Sequence, residues 1–284
     1  MITDPVDEIL RRHGVSGPWE PLSATGIANR IYATRDLVLR VATDHPEALP
    51  DARTESVAAP VAYRVGVLSP RLIAFDDSRT LVDRPYSLWE RVHGETLGLA
   101  GFDDRAQQEV WRQVGQEIFK LHSQVTACPD PDGYLDEPGR EMDLEPALRH
   151  WADSGHAAPA DIRQMERLIA ELAPLVQQRS AATCFLHNDL HQMNIMCTAE
   201  ARLLALIDWG DAGWGDPVLD FAAVPWELVP AALDGYGREG RALLGSFLRA
   251  CLIWDRLEDA LDDAAESPEC RVEIATYRQF LDEA

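Results

Sequence analysis

The chain has 284 residues, of which 46% are hydrophobic and 26% charged, a composition typical of globular proteins. Its 26 basic and 48 acidic residues give a net charge of −22, which disfavours nucleic acid and anionic membranes as partners and favours a cationic small molecule. Five cysteines without a Cys-x-x-Cys pair, and no apolar run near the ~20 residues of a membrane span, predict a cytoplasmic protein.

The first ninety residues alternate like the strands of a small sheet. A short helix is predicted over 4–13, and residues 29–34 and 37–41 predict a hairpin that turns at Arg35 and Asp36. A helix follows over 51–65, where Pro60 indicates a kink or a late start. Two more strands are predicted over 72–75 and 86–90. We therefore expect a β-rich domain over residues 1–90.

From residue 104 onward the pattern becomes helical. Long amphipathic helices are predicted over 104–125 and 161–178, separated by an acidic loop at 128–146. Short apolar runs that predict strands follow at 183–186, 195–197 and 203–207, and the chain reads as helical after 217. These patterns predict an α+β protein whose second, mainly helical domain spans 91–284.

Three oxygen-bearing side chains stand out around the short apolar runs. Asp189 and Asn194 are predicted on the loop of a hairpin, and Asp208 ends the next strand. Phosphoryl transfer requires a carboxylate that orients the attacking hydroxyl and hard oxygen ligands for Mg²⁺. The spacing therefore favours a site for phosphoryl transfer.

This stretch resembles the aminoglycoside phosphotransferase and choline kinase family, over about residues 20 to 260. The matching motifs are His187-x-Asp189-x-x-x-x-Asn194, Ile207-Asp208-Trp209, Gly215-Asp216-Pro217-x-x-Asp220, Gly26-x-x-Asn29-x-x-Tyr32, Val38-Leu39-Arg40-Val41 and Glu90-Arg91-Val92-His93-Gly94. The family often has Gly where this chain has Asn188, and often has Lys where it has Arg40. Arginine keeps the positive charge and can hold two phosphate oxygens.

The resemblance implies a two-lobed protein-kinase-like fold, with a β-rich nucleotide-binding lobe and a larger helical lobe for catalysis and substrate binding. It implies Asp189 as catalytic base, Asn194 and Asp208 as Mg²⁺ ligands, and Asp216 and Asp220 as supports of the catalytic loop. ATP or GTP is the implied nucleotide. Its implied binding residues are Ser23, Thr25, Arg40, Glu55, Glu90 and Val92.

Two other motifs are weaker. The zinc spacing of His187 and His191 lacks the accompanying Glu, and Lys120, the only lysine, does not belong to a phosphate-binding P-loop. The Gly-x-Gly-x-x-Gly pattern at 235–240 follows a predicted helix, whereas a dinucleotide site requires a preceding strand. We interpret that pattern as a turn between helices.

The acceptor is predicted from charge and resemblance together. Asp255, Glu258, Asp259 and Asp262 lie on one side of a predicted C-terminal helix, and Asp211 follows the Asp208 motif. They could contact a cationic acceptor, or the helix acids could form a solvated face. The favoured acceptor is an aminoglycoside or a capreomycin–viomycin-type cyclic peptide, with antibiotic resistance as the outcome. The alternatives are a metabolic kinase for choline, ethanolamine, homoserine or a sugar, and a non-catalytic kinase-like binding protein.

Overall fold

The computed structural model describes residues 5–22, 27–135, 143–178, 183–244 and 248–282. The N-terminal part is an antiparallel sheet with strand order β1-β2-β3-β5-β4. Its strands are β1 (Glu20–Leu22), β2 (Asn29–Ala33), β3 (Leu37–Ala42), β4 (Leu72–Asp76) and β5 (Tyr86–Glu90). The predicted hairpin is confirmed, because Ala33 pairs with Val38 across the turn. Arg40 pairs with Ile31 on one side and with Ser87 on the other, so it lies in the middle of the sheet.

Two helices flank this sheet. Helix α1 (Pro5–Arg12) places Val6 and Ile9 in a small core with Leu39 and Leu88 of the sheet. Helix α2 (Ala48–Arg64) starts three residues before the predicted start and runs through Pro60, so the alternative of a late start is wrong. Its Ala-rich face joins the larger core of the C-terminal lobe.

The C-terminal lobe is mainly helical. Its helices are α3 (Asp104–Gln124), α4 (Glu145–Asp153), α5 (Pro159–Gln177), α6 (Val229–Leu244), α7 (Leu248–Glu266) and α8 (Ile274–Asp282). Asp103 caps α3 by accepting a hydrogen bond from the backbone N–H of Ala106, at 2.9 Å. Helix α4 was not predicted, because it is short and buries only Ala147 and Trp151.

Helix α6 is interrupted at Gly237, where φ is 77°. The glycine pattern at 235–240 therefore lies at a break between helical segments, as interpreted from the sequence. Three short turns of 3-10 helix, at Gln192–Asn194, Leu219–Phe221 and Trp226–Leu228, complete the helical part of this lobe.

Short strands support the segment that contains Asp189. They are β6 (Glu95–Thr96), β7 (Cys184–Leu186), β8 (Ile195–Cys197), β9 (Leu203–Leu206) and β10 (Gly213–Gly215). The predicted hairpin around Asp189 is wrong: β7 pairs with β10, whereas β8 pairs with β6 and β9. Residues 187–194 therefore cross from one small sheet to another. The turns at Asn188, where φ is 67°, and at Gln192–Asn194 direct the chain away from a simple reversal.

The predicted α+β fold, with a small β-rich lobe and a larger helical lobe, is confirmed. Strand β5 ends at Glu90, and the domain boundary after residue 90 stays a prediction. Within the described residues, no helix combines the length and apolar character that a membrane crossing requires.

Candidate active site

Asp189 is held by a neighbour in its own loop. The Asn194 Nδ2 group donates to Asp189 Oδ2 at 2.7 Å and to the Asp189 carbonyl oxygen at 2.9 Å. His191 Nε2 lies 3.4 Å from the same Oδ2. These contacts fix the carboxylate while it stays half-exposed, so it can meet a group that enters from solvent.

The backbone before Asp189 is held by a buried carboxylate. Asp220 Oδ2 accepts from the His187 N–H at 3.2 Å, and Asp220 Oδ1 accepts from the Asn188 N–H at 2.6 Å. Asn188 has a φ of 67°, in the left-handed region that asparagine tolerates better than most residues. Asn188 can therefore take the place that glycine often has in the family.

The His187 ring packs beneath the loop. Its Nε2 lies 3.1 Å from the Ile207 carbonyl oxygen, and its ring centroid lies 4.4 Å from that of Trp209. Burial lowers the pKa of His187, and the neighbouring acids Asp220, Asp189 and Asp208 oppose this only in part. A neutral imidazole in this position links the loop of Asp189 to the strand that leads to Asp208.

Asp208 follows the end of β9, beside the loop that contains Asp189 and Asn194. Ile195 pairs with Leu206, and the Ile207 N–H donates to the Asn194 carbonyl oxygen at 2.9 Å, so Asn194 and Asp208 lie at the same end of the β8–β9 hairpin. Burial alone would raise the pKa of Asp208, but the charge and hydrogen bond of Arg40 bring it below its usual range. Asp208 is therefore an ionised ligand candidate.

An ionic cluster of Arg40, Glu55 and Asp208 connects the two lobes. Arg40 Nη1 lies 2.7 Å from both carboxylate oxygens of Glu55, and Arg40 Nη2 donates to Asp208 Oδ1 at 2.9 Å. Arg40 and Glu55 are therefore in contact, as the resemblance implied. Burial opposes the charge of Arg40, but the two carboxylates outweigh it and raise its pKa.

At Glu55, burial outweighs the attraction of the ionic partner, which is the reverse of the balance at Arg40. Its burial, together with repulsion from Asp208, raises its pKa to about 7, because Arg40 is shared between two acids and compensates only in part. The Trp209 backbone also supplies a hydrogen bond to Glu55. Glu55 thus contacts both the sheet and the turn that follows Asp208.

Helix α2 approaches that turn closely at Gly210. A Cβ atom on Gly210 would lie 2.8 Å from the Asp51 Cβ, so a larger residue would push α2 away. Burial and the nearby Asp208 raise the pKa of Asp51 to about 6. The closeness of α2 to Asp208 therefore depends on glycine at position 210.

The other site residues predicted from the sequence differ in their exposure to solvent. Glu90 is exposed at the end of β5 and Val92 is half-buried in the connection to the C-terminal lobe, whereas Ser23 and Thr25 lie outside the described residues. Asp211 and Asp259 are exposed, and Asp255 and Glu258 are half-buried. Asp262 Oδ1 lies 3.0 Å from His150 Nδ1, which gives that acid a partner on α4.

Sequence motifs did not include two residues, His122 and Tyr236, that are linked to the loop of Asp189 through Asp220. His122 of α3 lies 2.9 Å from Asp220 Oδ2 and 2.6 Å from the Tyr236 hydroxyl of α6. A signal for His122 was present, since it follows Val114 and Ile118 at intervals of four on the buried side of α3. A polar residue at such a position requires a buried partner.

A separate cavity of about 410 Å³ lies between α4, α5 and α7. Leu144, Leu148, Ile169 and Trp254 form apolar parts of its wall. Asp143, Glu145 and Glu166 add three carboxylates. Asp189 does not line it, so this cavity is distinct from the candidate site around Asp189.

Comparison with known proteins identifies the class. The model of the phosphotransferase enzyme family (APH) matches residues 20–260. The chain is similar to acyl-CoA dehydrogenase family member 10 of Mus musculus, with 28% identity over 232 residues that cover 78% of this chain and 20% of that protein. The chain thus spans about a fifth of the length of this curated relative.

Solved structures share the fold over nearly the whole chain. The streptomycin–ATP complex of APH(2")-IIa has a TM-score of 0.65 at 15% identity and covers 95% of this chain and 93% of that one. ADP-bound aminoglycoside phosphotransferase APH(2'')-Ib has a TM-score of 0.62 at 14% identity, with 99% and 97% covered. A choline/ethanolamine kinase family protein from Mesorhizobium loti has a TM-score of 0.57 at 18% identity, with 99% and 100% covered.

The fold is the one shared by the aminoglycoside phosphotransferases and the choline/ethanolamine kinase family protein described above. Since the family model matches most of the chain, the protein belongs to the phosphotransferase enzyme family.

Proposed function

We propose that this protein transfers the γ-phosphoryl group of ATP or GTP to a hydroxyl of a small cationic acceptor. The observation that supports this most is the convergence of Asp189, Asn194 and Asp208 at one end of the β8–β9 hairpin, with Arg40 reaching Asp208 from the other lobe. Phosphoryl transfer requires carboxylates of fixed orientation and a cation in a fixed position.

Asp189 acts as the base in this proposal. Asn194 engages Asp189 Oδ2, and within the described residues Asp189 Oδ1 has no hydrogen-bond donor, so Oδ1 can accept the proton of the acceptor hydroxyl. The hydroxyl oxygen then bonds to the γ-phosphorus as the bond from that phosphorus to the bridging oxygen breaks. The nucleoside diphosphate leaves with the electron pair of that bond.

The residues present fit a bound Mg²⁺. Asn194 uses its nitrogen for Asp189, and Asp208 uses Oδ1 for Arg40, which leaves Asn194 Oδ1 and Asp208 Oδ2 as hard oxygen ligands. When bound, Mg²⁺ neutralises charge on the nucleotide phosphates. Arg40 contacts these phosphates in the proposal, and the hydroxyls of Ser23 and Thr25, which lie outside the described residues, are the further donors that the family resemblance implies.

The connection between the lobes completes the nucleotide site in this proposal. Glu90 and Val92, with their backbone, contact the base, and Glu55 keeps Arg40 in place.

We place the enzyme in the cytoplasm, in keeping with its five free cysteines.

Charge supports a cationic acceptor. The net charge is −22, and α7 has Asp255, Glu258, Asp259 and Asp262 outside its buried apolar stripe. Together with Asp211, these acids raise the local concentration of a cation. An aminoglycoside or a capreomycin–viomycin-type peptide fits this field best, and its phosphorylation would confer resistance. Choline and ethanolamine have a single charge and fit it less well.

A second candidate acceptor comes from the mouse relative, whose name points to acyl-CoA chemistry. The matched segment is 28% identical, above the 14% to 18% of the structural relatives described above. A hydroxylated acyl-CoA is anionic, so it makes the opposite electrostatic prediction from an antibiotic. The two candidates can therefore be separated by charge.

The test is a panel of acceptors graded by charge: an aminoglycoside, viomycin, choline, homoserine and a hydroxyacyl-CoA. For a polycationic acceptor, we expect KM to rise steeply with salt while kcat stays constant, because the Debye length shrinks to about 10 Å at 0.1 M.

Matched variants locate the charge that acts on the acceptor. Neutralising the α7 acids as a group should raise the acceptor KM, and neutralising Asp143, Glu145 and Glu166 serves as the comparison. Turnover of only the hydroxyacyl-CoA, or a KM that ignores salt, would overturn the cationic acceptor while leaving phosphoryl transfer intact.

A further inference from the structure

A segment of the C-terminal lobe, residues 128–135 and here called the docking segment, packs against helix α2. It follows α3 and forms the first part of the acidic loop. The Thr54 hydroxyl of α2 donates to the Tyr134 carbonyl oxygen at 2.6 Å, and the Arg53 guanidinium lies 5.3 Å from the centroid of the Tyr134 ring. None of the family motifs in the sequence includes Thr54 or Tyr134.

The docking segment is ordered by its own hydrogen bonds. Asp130 Oδ1 accepts from the Tyr134 N–H and Asp130 Oδ2 accepts from the Leu135 N–H, each at 2.8 Å. The Leu135 N–H and the Tyr134 carbonyl belong to one planar peptide group. The bond from Leu135 to Asp130 therefore sets the direction in which the Tyr134 carbonyl faces α2.

A second contact of the docking segment lies one turn further along α2. Cys128 Sγ lies 3.7 Å from the Val57 carbonyl oxygen. Burial, together with the nearby Asp130, raises the pKa of Cys128 to about 11, so the side chain remains a thiol that can donate. Because Thr54 and Val57 are three residues apart, they lie on the same side of the helix. The segment thus holds two successive turns of α2.

The Thr54 hydroxyl has an unusual partner for a residue inside a helix. A helical threonine commonly bonds to a carbonyl of its own preceding turn, whereas Thr54 bonds to a residue 80 positions further along the chain. Thr54 is only 1% exposed, so water cannot replace this partner. Since a buried donor without an acceptor is destabilising, the hydrogen bond favours one position of α2 on the C-terminal lobe.

The position of α2 also decides where Glu55 lies. Glu55 directly follows Thr54, and both of its carboxylate oxygens lie 2.7 Å from Arg40 Nη1. Successive side chains of a helix point about 100° apart, so Thr54 meets the docking segment while Glu55 meets the sheet. A rotation or shift of α2 away from the docking segment would therefore move Glu55 relative to Arg40.

We propose that Thr54 is a positioning residue for nucleotide binding: its hydrogen bond to the docking segment fixes α2 on the C-terminal lobe, and α2 then holds Glu55 against Arg40. This inference rests on the proposed function for its kinetic consequence. Its structural consequence, protection of the α2 amides, can be measured without any turnover.

The kinetic test compares two substitutions of Thr54, with the acceptor that turns over best. Thr54→Val keeps the branched shape and removes the hydroxyl, and the nucleotide KM should rise about threefold to tenfold, the scale of one buried hydrogen bond. The acceptor KM should stay near its wild-type value. Thr54→Ser keeps the hydroxyl and should recover most of the loss.

Ser56→Ala is the matched control on the same helix. The Ser56 hydroxyl donates to the Arg53 carbonyl oxygen at 2.7 Å, so this variant removes a hydrogen bond within α2 and leaves the docking segment unchanged. A wild-type nucleotide KM in Thr54→Val, an equal rise in Ser56→Ala, or a Thr54→Ser enzyme no better than Thr54→Val would overturn the proposal.

Asp130→Ala tests the same contact from the docking segment and decides the question if Thr54→Val does not fold. It releases the peptide group between Tyr134 and Leu135 without changing α2, so the nucleotide KM should again rise. The exposed Asp132→Ala in the same segment is its control and should have no effect. A wild-type nucleotide KM in Asp130→Ala, or an equal rise in Asp132→Ala, would also overturn the proposal.

Hydrogen exchange provides the readout that does not depend on activity. In Thr54→Val, or in Asp130→Ala if the first variant does not fold, we expect faster exchange of the α2 amides at 53–58, with the amides of β8 and β9 unchanged. Unchanged exchange in α2 would overturn the proposal even if the enzyme proved active. A wild-type protein that phosphorylates no acceptor, together with the expected exchange, would instead contradict the proposed function.

Discussion

The two halves of the candidate site differ in their location in the fold and in their exposure to solvent. The ionic cluster of Arg40, Glu55 and Asp208 spans the lobes, and the Asp208 side chain is 45% exposed. The hydrogen-bonded chain of Tyr236, His122 and Asp220 lies within the C-terminal lobe, with the His122 and Asp220 side chains at 0% exposure. In the proposed function, the first half presents charge to an entering nucleotide. The second half holds the backbone that precedes Asp189.

This difference separates two kinds of kinetic effect. In the proposed function, the residues of the ionic cluster give up contacts with one another and contact phosphate and metal instead. Substituting one of them should therefore lower nucleotide affinity as well as kcat. Asp189 and its supports should act on rate alone. The comparison is therefore open to test with paired measurements of kcat and nucleotide affinity.

The largest effect is expected for Asp189→Asn. Loss of a positioned general base costs about 10² to 10⁴-fold, so kcat should fall in that range while calorimetry shows nearly unchanged nucleotide binding. The exposed Asp161→Asn on α5 is the matched control and should be silent. An Asp189→Asn enzyme with most of its wild-type kcat would remove this carboxylate from the mechanism.

Removal of the metal should have the second-largest effect on activity. We expect activity to require Mg²⁺ and to vanish with EDTA, and Asp208→Ala should resemble the metal-free enzyme. Since a bound metal supplies several kcal/mol of charge stabilisation, the loss should be at least about 10²-fold. Full activity in EDTA, or recovery with Zn²⁺ alone, would be incompatible with Asn194 and Asp208 as ligands.

Arg40→Ala tests the connection between the lobes. It leaves Glu55 buried without its cation, which typically costs about 3–5 kcal/mol of unfolding free energy, and we expect the nucleotide KM to rise as well. Denaturant unfolding and initial-rate kinetics measure the two effects. The exposed Arg30→Ala on β2 is the control.

Arg40→Lys should have the smallest effect of the series. It keeps the charge and loses the planar group that reaches Glu55 and Asp208 together, so it should fall between wild type and Arg40→Ala. Wild-type kinetics in Arg40→Ala would show that another arginine contacts the phosphates.

The sequence predicted those parts of the molecule that depend on local pattern. Helix α3 and strands β2 and β3 lie within a residue of their predicted bounds, because long periodic stretches and a tight hairpin determine them. The pairing of β7 with β10 was missed, since three-residue strands leave no periodic signal and their partner lies 27 residues further on. Helix α4 was missed for a related reason, its small buried face.

The same limit applies to the candidate site. Motif spacing identified Asp189, Asn194 and Asp208, and the structure brings them together. Asp189 and Asn194, however, lie on a crossing between sheets and not on a hairpin loop. His122 and Tyr236 are separated by 114 positions and meet only because α3 packs on α6. Such a contact is a property of the tertiary fold, to which no local motif points.

The most direct test of the central claim is a mass measurement of the acceptor after incubation with ATP or GTP and Mg²⁺. The account predicts that an acceptor of the panel gains one phosphoryl group while one nucleoside diphosphate forms, and that Asp189→Asn forms neither product. Nucleotide consumption without a phosphorylated acceptor, or equal product with Asp189→Asn, would contradict it.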